Sequence, residues 1–80
     1  MNYVVFCKPS CPFCIKAVDL LNEKQKTFNV VNFKDEHAAV LDELKEAMDW
    51  RTVPMVFLRS DNNFEFIGGF TDLEKHLQDG

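Results

Sequence analysis

The chain has 80 residues, 46% of them hydrophobic, which suffices for one compact domain over residues 1–80 and leaves too little for a second. Thirteen acidic against nine basic residues give a formal charge of -4, so the chain lacks the concentrated basic surface that nucleic-acid binding requires. No stretch approaches the roughly 20 apolar residues of a membrane span, and no basic segment followed by a long apolar one opens the chain. We therefore expect a soluble, cytoplasmic monomer with no membrane partner.

The first half of the chain predicts two strands around a helix. Tyr3 to Phe6 are β-branched or aromatic and lead into Lys8-Pro9-Ser10, which indicates a buried strand ending in a loop. Pro12 fits the first turn of a helix, and apolar residues at helical spacing continue that helix to about Lys24. A second strand is predicted over Phe28 to Phe33.

The second half predicts a helix, a hairpin and a last helix. The apolar stripe of the first of these helices consists of Val40, Leu41, Leu44, Ala47 and Met48. Met55 to Leu58 and Phe64 to Ile67 are predicted strands, joined by a polar turn. Thr71 and Glu74 match a capping box, so we expect Thr71 to cap a short C-terminal helix.

The predicted order of elements is β-α-β-α-β-β-α. A strand, crossover helix and strand form a right-handed parallel pair, and the hairpin adds antiparallel strands. The fold class is therefore α/β, with a mixed four-stranded sheet and three helices. This order matches a thioredoxin-like fold.

Cys11-Pro12-Phe13-Cys14 places two thiols within one helical turn. The first thiol lies at the helix start, where unpaired N–H groups and the positive end of the helix dipole favour a thiolate. This asymmetry predicts that Cys11 attacks and Cys14 resolves. Half of a zinc site has the same spacing, but the chain has no second such pair, so we favour redox chemistry and predict no metal site.

Cys7 is the third cysteine, and all three lie within the first 14 residues. With the other two it forms a C-x3-C-x2-C pattern, a spacing found in large barrel enzymes that hold an iron-sulfur cluster. Eighty residues cannot build such a barrel. We expect a buried cysteine at a strand end, with a redox-sensitive third thiol as the alternative.

Three segments together resemble the glutaredoxin family over nearly the whole chain. They are Lys8 to Cys14 after a strand, Thr52-Val53-Pro54, and Gly68-Gly69-Phe70-Thr71-Asp72-Leu73. The resemblance implies a thioredoxin fold, a cis Pro54 beside the cysteine pair, and glutathione as co-substrate with no bound cofactor. A cis bond there would turn backbone groups outward, where an extended peptide could pair with them.

The resemblance also implies which residues bind glutathione. Lys8 would meet a glutathione carboxylate, and Val53 would pair through its backbone with the cysteinyl unit. Arg51 is a second candidate cation. The other residues predicted to bind glutathione belong to the second and third of these segments: Thr52, Pro54, Gly69, Phe70, Thr71 and Asp72. Free N–H groups at a helix start bind a carboxylate, and an Asp side chain can accept from the glutamyl ammonium.

Two residues depart from the family pattern. Phe13 stands where the family usually has Tyr, so we expect an exposed apolar contact for partner proteins. Phe70 stands where many members have a small residue or Cys, which should reshape the groove.

The sequence thus predicts a glutathione-dependent oxidoreductase that reduces protein disulfides and protein-glutathione mixed disulfides. Ribonucleotide reductase is a candidate recipient of its electrons, by resemblance only. Two alternatives stay open at this point. One is a glutaredoxin-like donor that a flavoprotein of the thioredoxin reductase type recharges, and the other is an iron-sulfur binding module.

Overall fold

The computed structural model describes residues 2–79; Met1 and Gly80, the two ends of the predicted domain, lie outside the described residues. Its elements are β1 (Asn2–Cys7), α1 (Pro12–Glu23), β2 (Phe28–Asn32), a 3-10 turn (Asp35–His37), α2 (Ala38–Ala47), β3 (Met55–Ser60), β4 (Asn63–Gly68) and α3 (Phe70–Asp79). Within the described residues, no helix is long and apolar enough to cross a membrane.

The four strands form one mixed sheet in the order β2-β1-β3-β4. β1 and β2 are parallel, β1 and β3 antiparallel, and β3 and β4 form the antiparallel hairpin. The predicted fold is therefore confirmed: a thioredoxin-like α/β architecture with three helices and a mixed four-stranded sheet.

The sheet is covered on both faces. Alternate residues of β1, namely Tyr3, Val5 and Cys7, are buried in a cluster with apolar residues of α1 and α3. The opposite face carries a second cluster, in which Leu41 of α2 packs with Met55 and Phe57 of β3. Because successive side chains of a strand point to opposite faces, β1 contributes to both layers.

The start of α3 differs from the sequence prediction. The helix begins at Phe70, and the Asp72 Oδ2 accepts a hydrogen bond of 3.1 Å from the Gly69 N–H. Gly69 is therefore the capping residue, and the Asp72 side chain three residues on reaches back to its N–H without a return bond, because glycine has no side chain. The predicted Thr71 and Glu74 box is wrong, since both residues lie inside the helix. The reason is the end of β4, where Gly68 adopts a φ of 126° and turns the chain into the helix two residues earlier than a Thr71 cap would allow.

Substitution of Gly68 should destabilise the protein more than substitution of the adjacent Gly69. Its positive φ disfavours any side chain, and an added Cβ would lie 2.5 Å from Asp72 Oδ2 and 2.7 Å from Asp72 Cγ. Gly68→Ala should lower the free energy of unfolding by about 1–3 kcal/mol, measured by urea denaturation. Gly69→Ala is the matched control, because its Cβ would meet Trp50 at an ordinary 3.5 Å. Equal losses in the two variants would contradict this account.

Candidate active site

Cys11 stands where β1, α1 and the loop before β3 meet. It is the N-cap of α1, with φ -98° and ψ 108°, and Pro12 occupies the first turn, where its missing N–H is not needed. The Cys14 backbone N–H donates a hydrogen bond of 3.3 Å to the Cys11 Sγ. An N–H donor at the positive end of a helix stabilises negative charge on the sulfur.

The sulfur of Cys11 also faces the loop before β3. Its thiol lies 3.8 Å from the carbonyl oxygen of Val53, within reach of a weak S–H···O contact. The Val53–Pro54 peptide bond is cis, as the resemblance implied. The two motifs, 42 residues apart in the chain, therefore share one site.

Cys14 differs from Cys11 in its surroundings. Its side chain is 4% exposed, whereas Cys11 is partly exposed. Burial raises the pKa of Cys14, and its hydrogen bonds with Cys11 and Cys7 raise that pKa further. Cys14 is thus held as a neutral thiol behind the more accessible sulfur, which supports the division of roles expected from the sequence.

A groove of about 300 Å³ runs from the loop before β3 to the start of α3. Seven of the nine residues predicted to bind glutathione line it: Thr52, Val53, Pro54, Gly69, Phe70, Thr71 and Asp72. The other two, Lys8 and Arg51, are not among its lining residues. Lys8 follows β1 and borders a different cavity, and Arg51 is exposed beside Thr52.

Two aromatic residues complete the lining of this groove. Phe13 is 53% exposed, as expected, and its ring lies 6.2 Å from that of Phe70 and 5.0 Å from the Lys16 ammonium. Trp50 packs edge-to-face on Phe66, with 5.2 Å between ring centres. Its Nε1 is buried and has no hydrogen-bond partner among residues 2–79. Sequence reasoning missed Trp50 as a groove residue, although its position four residues before Pro54 is a signal that it adjoins the groove.

A second cavity, of about 560 Å³, lies on the β2 side of β1. All three cysteines border it, together with Lys8, apolar residues of α1 and Val30 of β2. Within residues 2–79, no three His, Cys, Asp or Glu side chains are arranged to hold a metal ion.

Similarity to known proteins identifies the family to which a chain with this site belongs. The Glutaredoxin family profile matches residues 3–62, three quarters of the chain. The chain belongs to the glutaredoxin family. Pig Glutaredoxin-1 is 41% identical over 76 residues, a match that covers 89% of this chain and 68% of the pig protein.

Two solved glutaredoxins share its architecture. A buckwheat glutaredoxin in complex with glutathione superposes with a TM-score of 0.83 at 25% identity, covering 98% of this chain and 69% of that one. The dithiolic glutaredoxin 2-C-Grx1 of Trypanosoma brucei brucei gives a TM-score of 0.78 at 32% identity, covering 98% and 78%. Family membership assigns the chain the activity of a thiol-disulfide oxidoreductase.

Burial of Cys14 predicts that the reduced protein loses stability in alkaline solution. Because its pKa is raised, the folded state keeps the Cys14 proton to higher pH than the unfolded state, whose thiol titrates near 9.0. This contribution is complete below that pH and declines above it, by up to about 1.4 kcal/mol per pH unit.

Urea unfolding under reducing conditions, from neutral pH to about pH 10.5, measures this decline. The Cys14→Ser variant should show a shallower decline, because its hydroxyl does not titrate in this range. Parallel pH dependences of the two proteins would show that Cys14 is not held neutral by the fold.

Proposed function

We propose that this glutaredoxin depends on glutathione and reduces both protein disulfides and protein-glutathione mixed disulfides. One observation carries the proposal: the attacking sulfur of Cys11 lies 3.8 Å from the carbonyl oxygen of Val53, and Val53 lines a groove that also includes the start of α3. A tripeptide thiol bound along this groove would present its sulfur to Cys11 and its glutamyl end to the helix.

The groove offers matching chemistry at each end. The backbone of Val53, in the bend before β3, could pair with the cysteinyl unit of glutathione as an added strand does. At α3, the N–H groups of Phe70, Thr71 and Asp72 have no acceptor inside the helix, so they are available to the glutamyl carboxylate. The N–H of Gly69 is already bonded to Asp72 and serves to orient that carboxylate instead.

Asp72 has two tasks in this proposal. One oxygen of its carboxylate accepts from Gly69, and the carboxylate can accept a charge-assisted hydrogen bond from the glutamyl ammonium. Arg51 and Lys8 remain candidates for the glycine carboxylate. Both are long, cationic side chains that begin outside the groove, so they would have to reach toward it.

Two reactions follow from the arrangement of the thiols. In the first, the Cys11 thiolate attacks the glutathione sulfur of a glutathionylated protein, which releases that protein as a thiol and leaves glutathione on Cys11. A second glutathione then attacks this mixed disulfide, which frees Cys11 and forms glutathione disulfide. With a protein disulfide, Cys11 forms a mixed disulfide with one substrate sulfur. Cys14 then attacks Cys11, which releases the reduced substrate and forms the Cys11–Cys14 disulfide.

The source of electrons can be tested directly. The groove favours glutathione over a flavoprotein of the thioredoxin reductase type. Turnover measured as NADPH oxidation should be supported by glutathione with glutathione reductase and not by thioredoxin reductase. Ribonucleotide reductase stays a candidate recipient of the electrons. A Cys14→Ser variant should trap a mixed disulfide with the recipient protein, and identifying the trapped protein would show whether it is ribonucleotide reductase or another protein.

The two cysteines should separate the two reactions. Cys11→Ser should abolish both, because it removes the nucleophile. Cys14→Ser should keep deglutathionylation and lose the reduction of protein disulfides, because only the second reaction needs a resolving thiol. Assays on a glutathionylated peptide and on a disulfide protein measure the two activities, and equal losses in both variants would contradict the roles.

Asp72 should contribute to glutathione affinity through its charge. Asp72→Asn retains an acceptor for the Gly69 N–H but removes the negative charge, so the KM for glutathione should rise about tenfold with little change in stability. Glu74→Gln is the matched control, since it removes the same charge from an exposed position of α3 outside the groove. A similar rise in KM in both variants would show that only the overall charge matters.

A further inference from the structure

The proposed reactions use two of the three cysteines, and the third lies directly behind them. Cys7 is the last residue of β1 and is 2% exposed, and Cys14 is 4% exposed in the first turn of α1. Both belong to one core cluster, against which the partly exposed Cys11 packs. All three also border the cavity of about 560 Å³ on the β2 side of the sheet, so the sulfurs share one space.

The contacts among the three sulfurs give their order. Cys14 has both Cys11 and Cys7 as neighbours whose side chains raise its pKa through hydrogen bonding, and its own N–H donates to the Cys11 sulfur. Between Cys7 and Cys11 the corresponding effect is one of charge, which raises the pKa of Cys7. Cys14 is therefore the central sulfur, and the sequence of contacts from the surface inward is Cys11, Cys14, Cys7.

This order is the one that thiol-disulfide exchange requires. A thiolate attacks one sulfur of a disulfide and displaces the other, so the attacked sulfur must lie between the attacking and leaving ones. In the Cys11–Cys14 disulfide, Cys7 is the remaining thiol of the same core cluster and cavity, so it is the one that can attack Cys14. Cys11 is the leaving group, and its sulfur accepts the Cys14 N–H at the helix start.

We propose that Cys7 is a third redox-active thiol, which attacks Cys14 in the Cys11–Cys14 disulfide, forms a Cys7–Cys14 disulfide and releases Cys11. One S–S bond breaks and one forms, so no oxidant or reductant is consumed. The Cys7 thiol loses its proton to solvent, and Cys11 leaves as the thiolate. The proposal rests on the Cys11–Cys14 disulfide of the proposed function, but it does not depend on glutathione.

The local environments set the direction and the pH dependence of this exchange. Burial raises the pKa of the Cys7 thiol, as it does for Cys14. The released Cys11 sulfur accepts the Cys14 N–H at the helix start, which favours it as the free thiolate. Because the exchange releases a proton, it should go further toward Cys7–Cys14 as pH rises. The oxidised protein would then keep its nucleophile and could still remove glutathione from proteins.

Exposure of the remaining thiol distinguishes the two disulfides. The protein is oxidised with diamide, freed of reagent, and labelled with N-ethylmaleimide without denaturant. A free Cys11 is accessible, whereas a free Cys7 is buried. Maleimide should therefore react with a free Cys11 about tenfold faster than with a free Cys7. A Cys11→Ala, Cys14→Ala double variant, whose only thiol is Cys7, gives the reference rate.

The labelled position is then read by tandem mass spectrometry after reduction and alkylation with iodoacetamide. We expect maleimide on Cys11 of the oxidised wild-type protein, with faster labelling at higher pH. Oxidised Cys7→Ala should take up no maleimide, because its two cysteines are paired. If that variant does not fold, Cys7→Ser replaces it, and the wild-type measurement needs no variant.

Maleimide on Cys7 alone, at the reference rate, would overturn the proposal. It would leave the proposed function intact if Cys7→Ala still forms its Cys11–Cys14 disulfide. Absence of any intramolecular disulfide in both proteins would overturn the Cys7 proposal and the dithiol reaction together.

Discussion

The hydrogen bond from the Cys14 N–H to the Cys11 sulfur fixes the chemistry of this protein. It exists because Cys11 is the N-cap of α1, which follows from Pro12 in the first turn and from the end of β1 at Cys7. The cap places one thiol at the positive end of the helix and the other inside its first turn. Identical side chains thereby acquire different accessibilities, and burial raises the pKa of Cys14.

The Cys11 sulfur borders one cavity and contacts a residue of the other. Cys11 lines the three-cysteine cavity, and its thiol lies 3.8 Å from the carbonyl oxygen of Val53, which lines the groove. The groove is lined by the loop before β3, the start of α3 and the aromatic side chains of Phe13 and Trp50. The other cavity is bordered by all three cysteines together with apolar and charged side chains, so it brings together the thiols of the proposed exchange.

The fold could be predicted because its signals are local. Alternation in β1, the apolar stripes of the helices and the polar hairpin turn each fix an element within about ten residues. The start of α3 could not be predicted, because Thr71 with Glu74 fits a capping box by residue type, whereas the actual cap, Gly69, has no side chain that would indicate it. The backbone angle of Gly68 at the end of β4 decides between them. That angle depends on the register of the hairpin, which a local pattern does not contain.

Residues of the site could be predicted where they belong to a sequence motif, but not where tertiary packing brings them to the site. The cysteine pair and the residues of the two loops are motif positions, and the structure brings most of them to one groove. Trp50 reaches the groove through its contact with Phe66 of β4, and the order of the three sulfurs depends on how α1 packs on β1. The depth of each sulfur below the surface, which increases from Cys11 through Cys14 to Cys7, is therefore set by tertiary packing. In the proposed reactions, this depth decides which thiol meets a substrate, which one resolves the mixed disulfide and which one exchanges inside the core.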